Sequence, residues 1–389
     1  MFTNQSINLN LLRERAHNLR WATVTEGVIP LTAADPDFPV AEPIQEAVVK
    51  YARDGYFSYG PNEGLSSFRE SLSKHYQEKR GVHYNPRCIL AVDSAASGIH
   101  LVCKTLLHKG DEAIIFDPVD FLFKYSIESA QAVAIPFQTP PSSTSIDFSG
   151  LEHLITPKTK LICLCNPLNP TGKVFTKKEL YTLALIAEKY NLIILSDEIW
   201  SDIIFKPHTY TAISSLDEAI FRRTIVVTGF SKSYGLASLR VGALLMPNID
   251  LYAQIYSMSM HNSTIRGCNV VGQVAAAAAM NECGGWLQNF VDHLQEMRDK
   301  TVGAINQIKG FSCRPPEGCY VAWIDIRETG MSSAAMQTLL LQESRVAVVP
   351  GLQEWFGSGA EGYIRISFAT SSEILDEAFT RIQHTISTL

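Results

Sequence analysis

From about residue 88 to residue 275, short apolar runs alternate with stretches of helical periodicity. The apolar runs predict strands over residues 88–92, 113–116, 132–136, 161–165, 192–195, 224–227 and 241–245. The periodic stretches between them include helices over 98–107, 122–129, 177–190 and 269–281. Thr176, with Glu179 three residues on, reads as a capping box for the third of these. Alternating strands and helices predict an α/β fold: a mostly parallel, seven-stranded sheet covered by helices on both faces. After Gly284 and Gly285 the pattern changes. One long helix is expected over 286–308, then strands over 320–325, 346–349 and 363–368, as in a smaller α+β unit. The division this suggests is 1–40 as a segment packing on the small unit, 41–285 as a large domain and 286–389 as a small one.

Composition narrows the function classes. The chain has 389 residues, 46% of them hydrophobic, too many for a disordered polymer. With 33 basic and 39 acidic side chains the net charge is −6, which does not invite nucleic acid. No run approaches the ~18 apolar residues of a membrane span. The opening residues, with Asn4, Gln5, Arg13 and Glu14, do not read as a signal peptide. Eight scattered cysteines, with no Cys-x-x-Cys, read as buried thiols of a cytoplasmic protein. The Pro- and Ser-rich stretch Thr139 to Ser145 reads as a surface loop.

Two motifs mislead. Gly357-Ser-Gly-Ala-Glu-Gly362 matches a dinucleotide fingerprint, but it leads into a strand and not a helix, so it reads as a flexible loop. Gly172-Lys173 resembles the end of a phosphate loop, but Val174 stands where a hydroxyl should meet magnesium. No histidine spacing suggests a metal site.

Three segments just after predicted strands carry the chemistry. In open α/β sheets such positions face one crevice. In Asn166-Pro-Leu-Asn169-Pro-Thr-Gly172, two Asn-Pro pairs fix an irregular backbone that holds an amide in place. Asp197, in Ser196-Asp-Glu-Ile-Trp200, ends a buried run, where a carboxylate needs a cation or donor. Lys232, in Gly229-Phe-Ser231-Lys-Ser-Tyr-Gly235, sits between an apolar strand and a Gly-bearing turn, an environment that makes an amine nucleophilic. Arg240 follows eight residues later, a fork for a phosphate. An ordinary turn, a salt bridge and a solvated lysine are the plain alternatives for each motif alone. Together they match pyridoxal phosphate, whose aldehyde needs a lysine, ring nitrogen a carboxylate, 3′-oxygen a donor, and phosphate an arginine with helix-start amides.

Asn169-Pro-Thr-Gly, Asp197-Glu-Ile and Ser231-Lys232 with Arg240 resemble the signature of class I/II, fold type I, pyridoxal-phosphate aminotransferases. The resemblance implies that Lys232 forms the Schiff base and shuttles the proton, with Asp197 on the pyridinium, Asn169 on the 3′-oxygen and Arg240 on the phosphate. It implies that Ser94, Ala95 and Ala96 cradle the phosphate beside Ser231. It also gives Arg365 the substrate carboxylate, places Ala34 on the substrate side, and sends Tyr59 to the neighbouring subunit of a homodimer. Three positions depart from the family. Trp200 replaces the usual tyrosine, Gly229 the usual serine, and Asp120 stands where an aromatic usually stacks on the ring; Phe121 or Phe123 is the substitute. The leading expectation is transamination between an L-amino acid and a 2-oxo acid. Trp200 and Asp35-Pro-Asp37-Phe38 are also similar to the carbon–sulfur β-lyase branch, whose products are pyruvate, ammonia and a thiol. A DNA-binding sensor is disfavoured by the short N-terminal segment.

Overall fold

The computed structural model describes residues 2–141 and 143–388. Its large sheet has seven strands: β1 (Ile89–Val92), β2 (Glu112–Asp117), β3 (Val133–Gln138), β4 (Thr159–Cys165), β5 (Ile193–Asp197), β6 (Thr224–Gly229) and β7 (Gly242–Leu245). They lie in the order β1-β7-β6-β5-β4-β2-β3. All pairings are parallel except those of β7, which runs antiparallel to both neighbours. The central strands are mostly apolar and, apart from Lys160 at the start of β4, buried, because both faces are covered. Pro136 is tolerated in β3 because that strand is an edge.

The helices used below are α1 (Glu42–Arg53), α2 (Ser66–Arg80), α3 (Ala95–Leu106), α4 (Leu122–Ser129), α5 (Lys177–Lys189), α6 (Val270–Glu282), α7 (Gly284–Ile305) and α8 (Ser372–Ser387). The capping box of α5 is present, with Thr176 Oγ1 accepting from the Glu179 amide. α3 begins three residues earlier than its periodicity suggests, because Ser94 Oγ accepts from the Ser97 amide and caps it. Gly284 and Gly285 do not interrupt the chain. They form the first turn of α7, which starts directly after Cys283, the single residue that separates it from α6. α7 ends at Ile305, earlier than expected.

The second sheet is antiparallel, with β8 (Ser312–Cys313), β9 (Val321–Asp325), β10 (Val349–Pro350) and β11 (Tyr363–Ser367) in the order β10-β11-β9-β8. The single strand expected over 346–349 is broken at Val348. Val346–Ala347 pair with Ile29–Pro30, while Val349–Pro350 pair with β11. Phe290, Leu294, Ile364, Ile366 and Ile382 share one apolar core with Trp21, Leu31 and Phe38 from the N-terminal segment. Among the described residues no helix is long and apolar enough to cross a membrane. In the Pro/Ser-rich stretch, Thr139 is buried and bonded to Asp117, 143–145 are exposed, and Ser142 lies outside the described residues.

Candidate active site

Strands β1, β2, β4, β5 and β6 all finish at one edge of the large sheet, and the segments that leave them line a cleft of about 690 Å³. That volume is ordinary for a small-molecule site. Ser94, Ala95 and Ala96 follow β1, Asp120 and Phe121 follow β2, and Asn169 follows β4. Asp197 closes β5, and Ser231, Lys232 and Arg240 follow β6. Arg365 enters from the middle of β11, and Ala34 from the N-terminal segment. Trp200 lines the same cleft. Phe123 does not; it is sealed in the core of the large domain, which separates it from Phe121. Tyr59 is not part of this cleft and is 87% exposed.

Lys232 Nζ donates to the Ala34 carbonyl at 2.6 Å and lies 5.3 Å from the centre of the Trp200 ring. Burial pushes its pKa down, against the pull of Asp35, and Arg365 adds to the depression. Tyr320 donates to the same carbonyl at 3.1 Å and packs edge-on against Trp200. Asp197 Oδ1 accepts from the Ile199 amide at 3.1 Å. Burial, reinforced by Asp120 and Glu198, pushes its pKa up to about 7, because no cation is paired with it. Asn169 Oδ1 accepts from Arg365 Nη1 at 3.0 Å, while Asn169 Nδ2 donates to Asp120 Oδ2 at 3.0 Å. Arg365 is 8% exposed, has no carboxylate in hydrogen-bond contact, and leaves Nε without a partner.

The phosphate end has a different character. Ala95 and Ala96 open α3, where first-turn amides have no intrahelical acceptor. A Cβ at Gly242 would come within 2.9 Å of the Ser94 carbonyl carbon and 3.0 Å of the Ala95 nitrogen, so only glycine lets β7 press against this helix start. Arg240 adopts left-handed backbone, φ 48°, beside it. An amine, a buried acid, an amide and a guanidinium with helix-start amides are the donor set pyridoxal phosphate needs, and the residues present fit it.

Residues 26–382 match the model of the aminotransferase class I and II family. The chain belongs to that family. It is a pyridoxal-phosphate-dependent aminotransferase of fold type I. It is 32% identical to an aspartate aminotransferase of Pyrococcus horikoshii, over 93% of this chain and 91% of that one. It is 31% identical to aromatic-amino-acid aminotransferase 2 of Thermococcus litoralis, over 92% and 91%. Cystalysin from Treponema denticola, whose structure contains pyridoxal 5′-phosphate, superposes with a TM-score of 0.91 at 24% identity, covering 100% of this chain and 99% of that one. At that identity the likeness is one of fold alone.

The two misleading motifs have structural explanations. The Gly357–Gly362 segment is not a free loop. Ser358 N and Gly359 N donate to the Asp117 carboxylate at 3.0 and 3.1 Å, so the motif wraps an internal anion. Gly357, at φ 97°, has no room for a Cβ against that carboxylate. Lys173 is buried between Glu179 and Glu317, at 3.4 and 3.3 Å. Among the described residues no group of His, Cys, Asp and Glu is placed to hold a metal. Sequence reasoning missed Tyr320, Glu354, Trp355 and Phe356, of which the last three line the cleft. They come from the small unit, and no local spacing ties them to the large sheet.

Proposed function

We propose that this aminotransferase works through Lys232 as the amine that takes the aldehyde of pyridoxal phosphate, with Asp197 against the ring nitrogen. When bound there, the cofactor supplies an electron sink that acidifies the Cα–H bond of an amino acid. Asn169 Nδ2 has a second hydrogen for the 3′-oxygen, and the Trp200 indole can donate but not ionise. Ser94, the Ala95 and Ala96 amides, Ser231 and Arg240 hold the phosphate, and Phe121 lies against the ring. Arg365 and Asn169 take the substrate carboxylate beside Ala34. Lys232, once displaced, moves the proton from Cα to the cofactor carbon and back. The observation that carries this reading is that Lys232, Asp197 and Arg365 share one cleft without a direct ion pair among them.

The division into 1–40, 41–285 and 286–389 belongs to the same proposal, supported by the core that the N-terminal segment shares with the C-terminal elements. So does a homodimer. Tyr56, Phe57 and Tyr59 are 81%, 66% and 87% exposed on one loop, an apolar surface suited to a second copy, with Tyr59 completing the partner's phosphate site. Eight free thiols fit residence in the reducing cytoplasm.

The test mixes the holoenzyme with single L-amino acids and follows the cofactor spectrum. Stable conversion to the pyridoxamine form, with release of a 2-oxo acid, is expected. Pyruvate and ammonia released without an acceptor would instead establish the β-lyase chemistry.

A further inference from the structure

Asp120 lies on the segment between β2 and α4, in the cleft. Its Oδ1 accepts from the Leu122 amide at 3.3 Å and its Oδ2 from Asn169 Nδ2 at 3.0 Å. At the other end of the same amide, Oδ1 accepts from Arg365 Nη1 at 3.0 Å. A carboxylate only accepts and a guanidinium only donates. The Asn169 amide therefore has one orientation that satisfies both neighbours. Reversed, it would set an oxygen against the acid and an N–H against the cation.

The charged and titratable groups around Asp120 come from four elements. Lys232 follows β6, Arg365 is on β11, Asp197 ends β5 and the Cys165 thiol ends β4. Burial raises the Asp120 pKa above the usual carboxylate range, while Arg365, the Leu122 amide, Lys232 and the Asn169 amide work against that rise. The acid thus faces Lys232 and Arg365 while hydrogen-bonding neither, its side-chain partner being the Asn169 amide.

We propose that Asp120 is a positioning residue of this site: it locks the Asn169 amide and, through it, Arg365, and its charge holds the proton on the nitrogen that joins Lys232 to the cofactor. The proposal rests on the Lys232 assignment above. It gives the departure at position 120 a purpose, since an acid replaces an aromatic ring where Trp200, unlike a tyrosine, brings no ionisable hydroxyl.

The experiment is a spectrophotometric pH titration of the holoenzyme, comparing the wild type with Asp120→Asn and Asp120→Glu. Asparagine keeps the shape, removes the charge and lets the Asn169 amide turn over. The chromophore midpoint is expected to fall by about 1 unit, the lower end of what one opposite charge at ~4–6 Å contributes. A holoenzyme of Asp120→Asn with an unmoved midpoint overturns the proposal and leaves the Lys232 assignment standing. Should Asp120→Asn not load, Asp120→Glu decides. Glutamate keeps the charge but shifts the acceptor, so the midpoint is held while the amino-acid KM rises several-fold; a moved midpoint or an unchanged KM overturns the proposal. A wild-type chromophore that borohydride does not fix to residue 232 overturns both readings.

Discussion

Arg365 is buried and the Arg80 side chain is 10% exposed, and each stacks on an aromatic ring, Arg80 on Tyr210 at 4.7 Å and Arg365 on Phe356 at 5.1 Å. Each leaves its Nε without a partner. The difference is the counter-ion. Arg80, at the end of α2, donates to Asp202 at 2.5 Å and to Ser201 at 2.9 Å. Arg365 reaches only an amide oxygen. The acids repeat the contrast five residues apart. Burial pushes Asp202 up, but Arg80, His75 and Ser233 outweigh it and hold the acid well below the usual range. Asp197 has no such company and is pushed up to about 7. A buried charge with its partner built in is structure. A buried charge with no hydrogen-bonded opposite charge, in a cleft, is a candidate for binding one, which is the role proposed for Arg365 and Asp197.

The largest break in this contrast removes the amine. Lys232→Ala should abolish the chromophore and lower turnover by at least ~10³-fold, since one group acts as both nucleophile and proton carrier. Absorbance and single-turnover assays read both, and unchanged turnover refutes the mechanism.

Asp197 carries the next effect, on stability. Its carboxyl titrates near 3.8 in the unfolded chain and about 7 in the cofactor-free fold. The raised value means that its stabilising contribution is complete below pH ~4 and is lost as pH climbs towards 7, on the order of 4 kcal/mol in all. Asp197→Asn should therefore match the wild type at low pH and gain on it steadily up to pH 7 in urea unfolding of the cofactor-free protein. Parallel stability curves would show that Asp197 is not held protonated.

The same division between paired and unpaired charge explains what could be read in the sequence. Asn169, Asp197, Lys232 and Arg240 follow apolar strands in sequence, so local pattern alone carried them to the sheet edge where the structure has them. The anion-wrapping role of Gly357–Gly362 was hidden because its anion, Asp117, is more than two hundred residues away. Val348 breaks a run that looks continuous, because its two halves serve different sheets. Asp120 was visible as a residue unable to stack, but its link to Asn169 and Arg365 depends on three separate elements meeting.

The smallest effects test the comparison at its root, by making one substitution at both arginines. Arg80→Met leaves Asp202, whose side chain is only 18% exposed, without its cation, with Ser233 and His75 too weak to replace it. The cofactor-free protein should lose ~3 kcal/mol, at the lower end for a broken buried pair because methionine refills much of the volume. Arg365→Met removes a cation that has no carboxylate partner, and Asp120 can answer by taking up a proton, as burial already favours. Stability should then change by no more than ~1 kcal/mol, in either direction. The functional ranking is reversed. At position 365 the amino-acid KM should rise on the order of 100-fold, the loss of a charge-assisted pair worth ~2–3 kcal/mol. At position 80 it should stay within a few-fold. Equal destabilisation by the two substitutions would mean that Arg365 is held in place by the fold as firmly as Arg80, and that the cleft carries no unpaired charge for a substrate to meet.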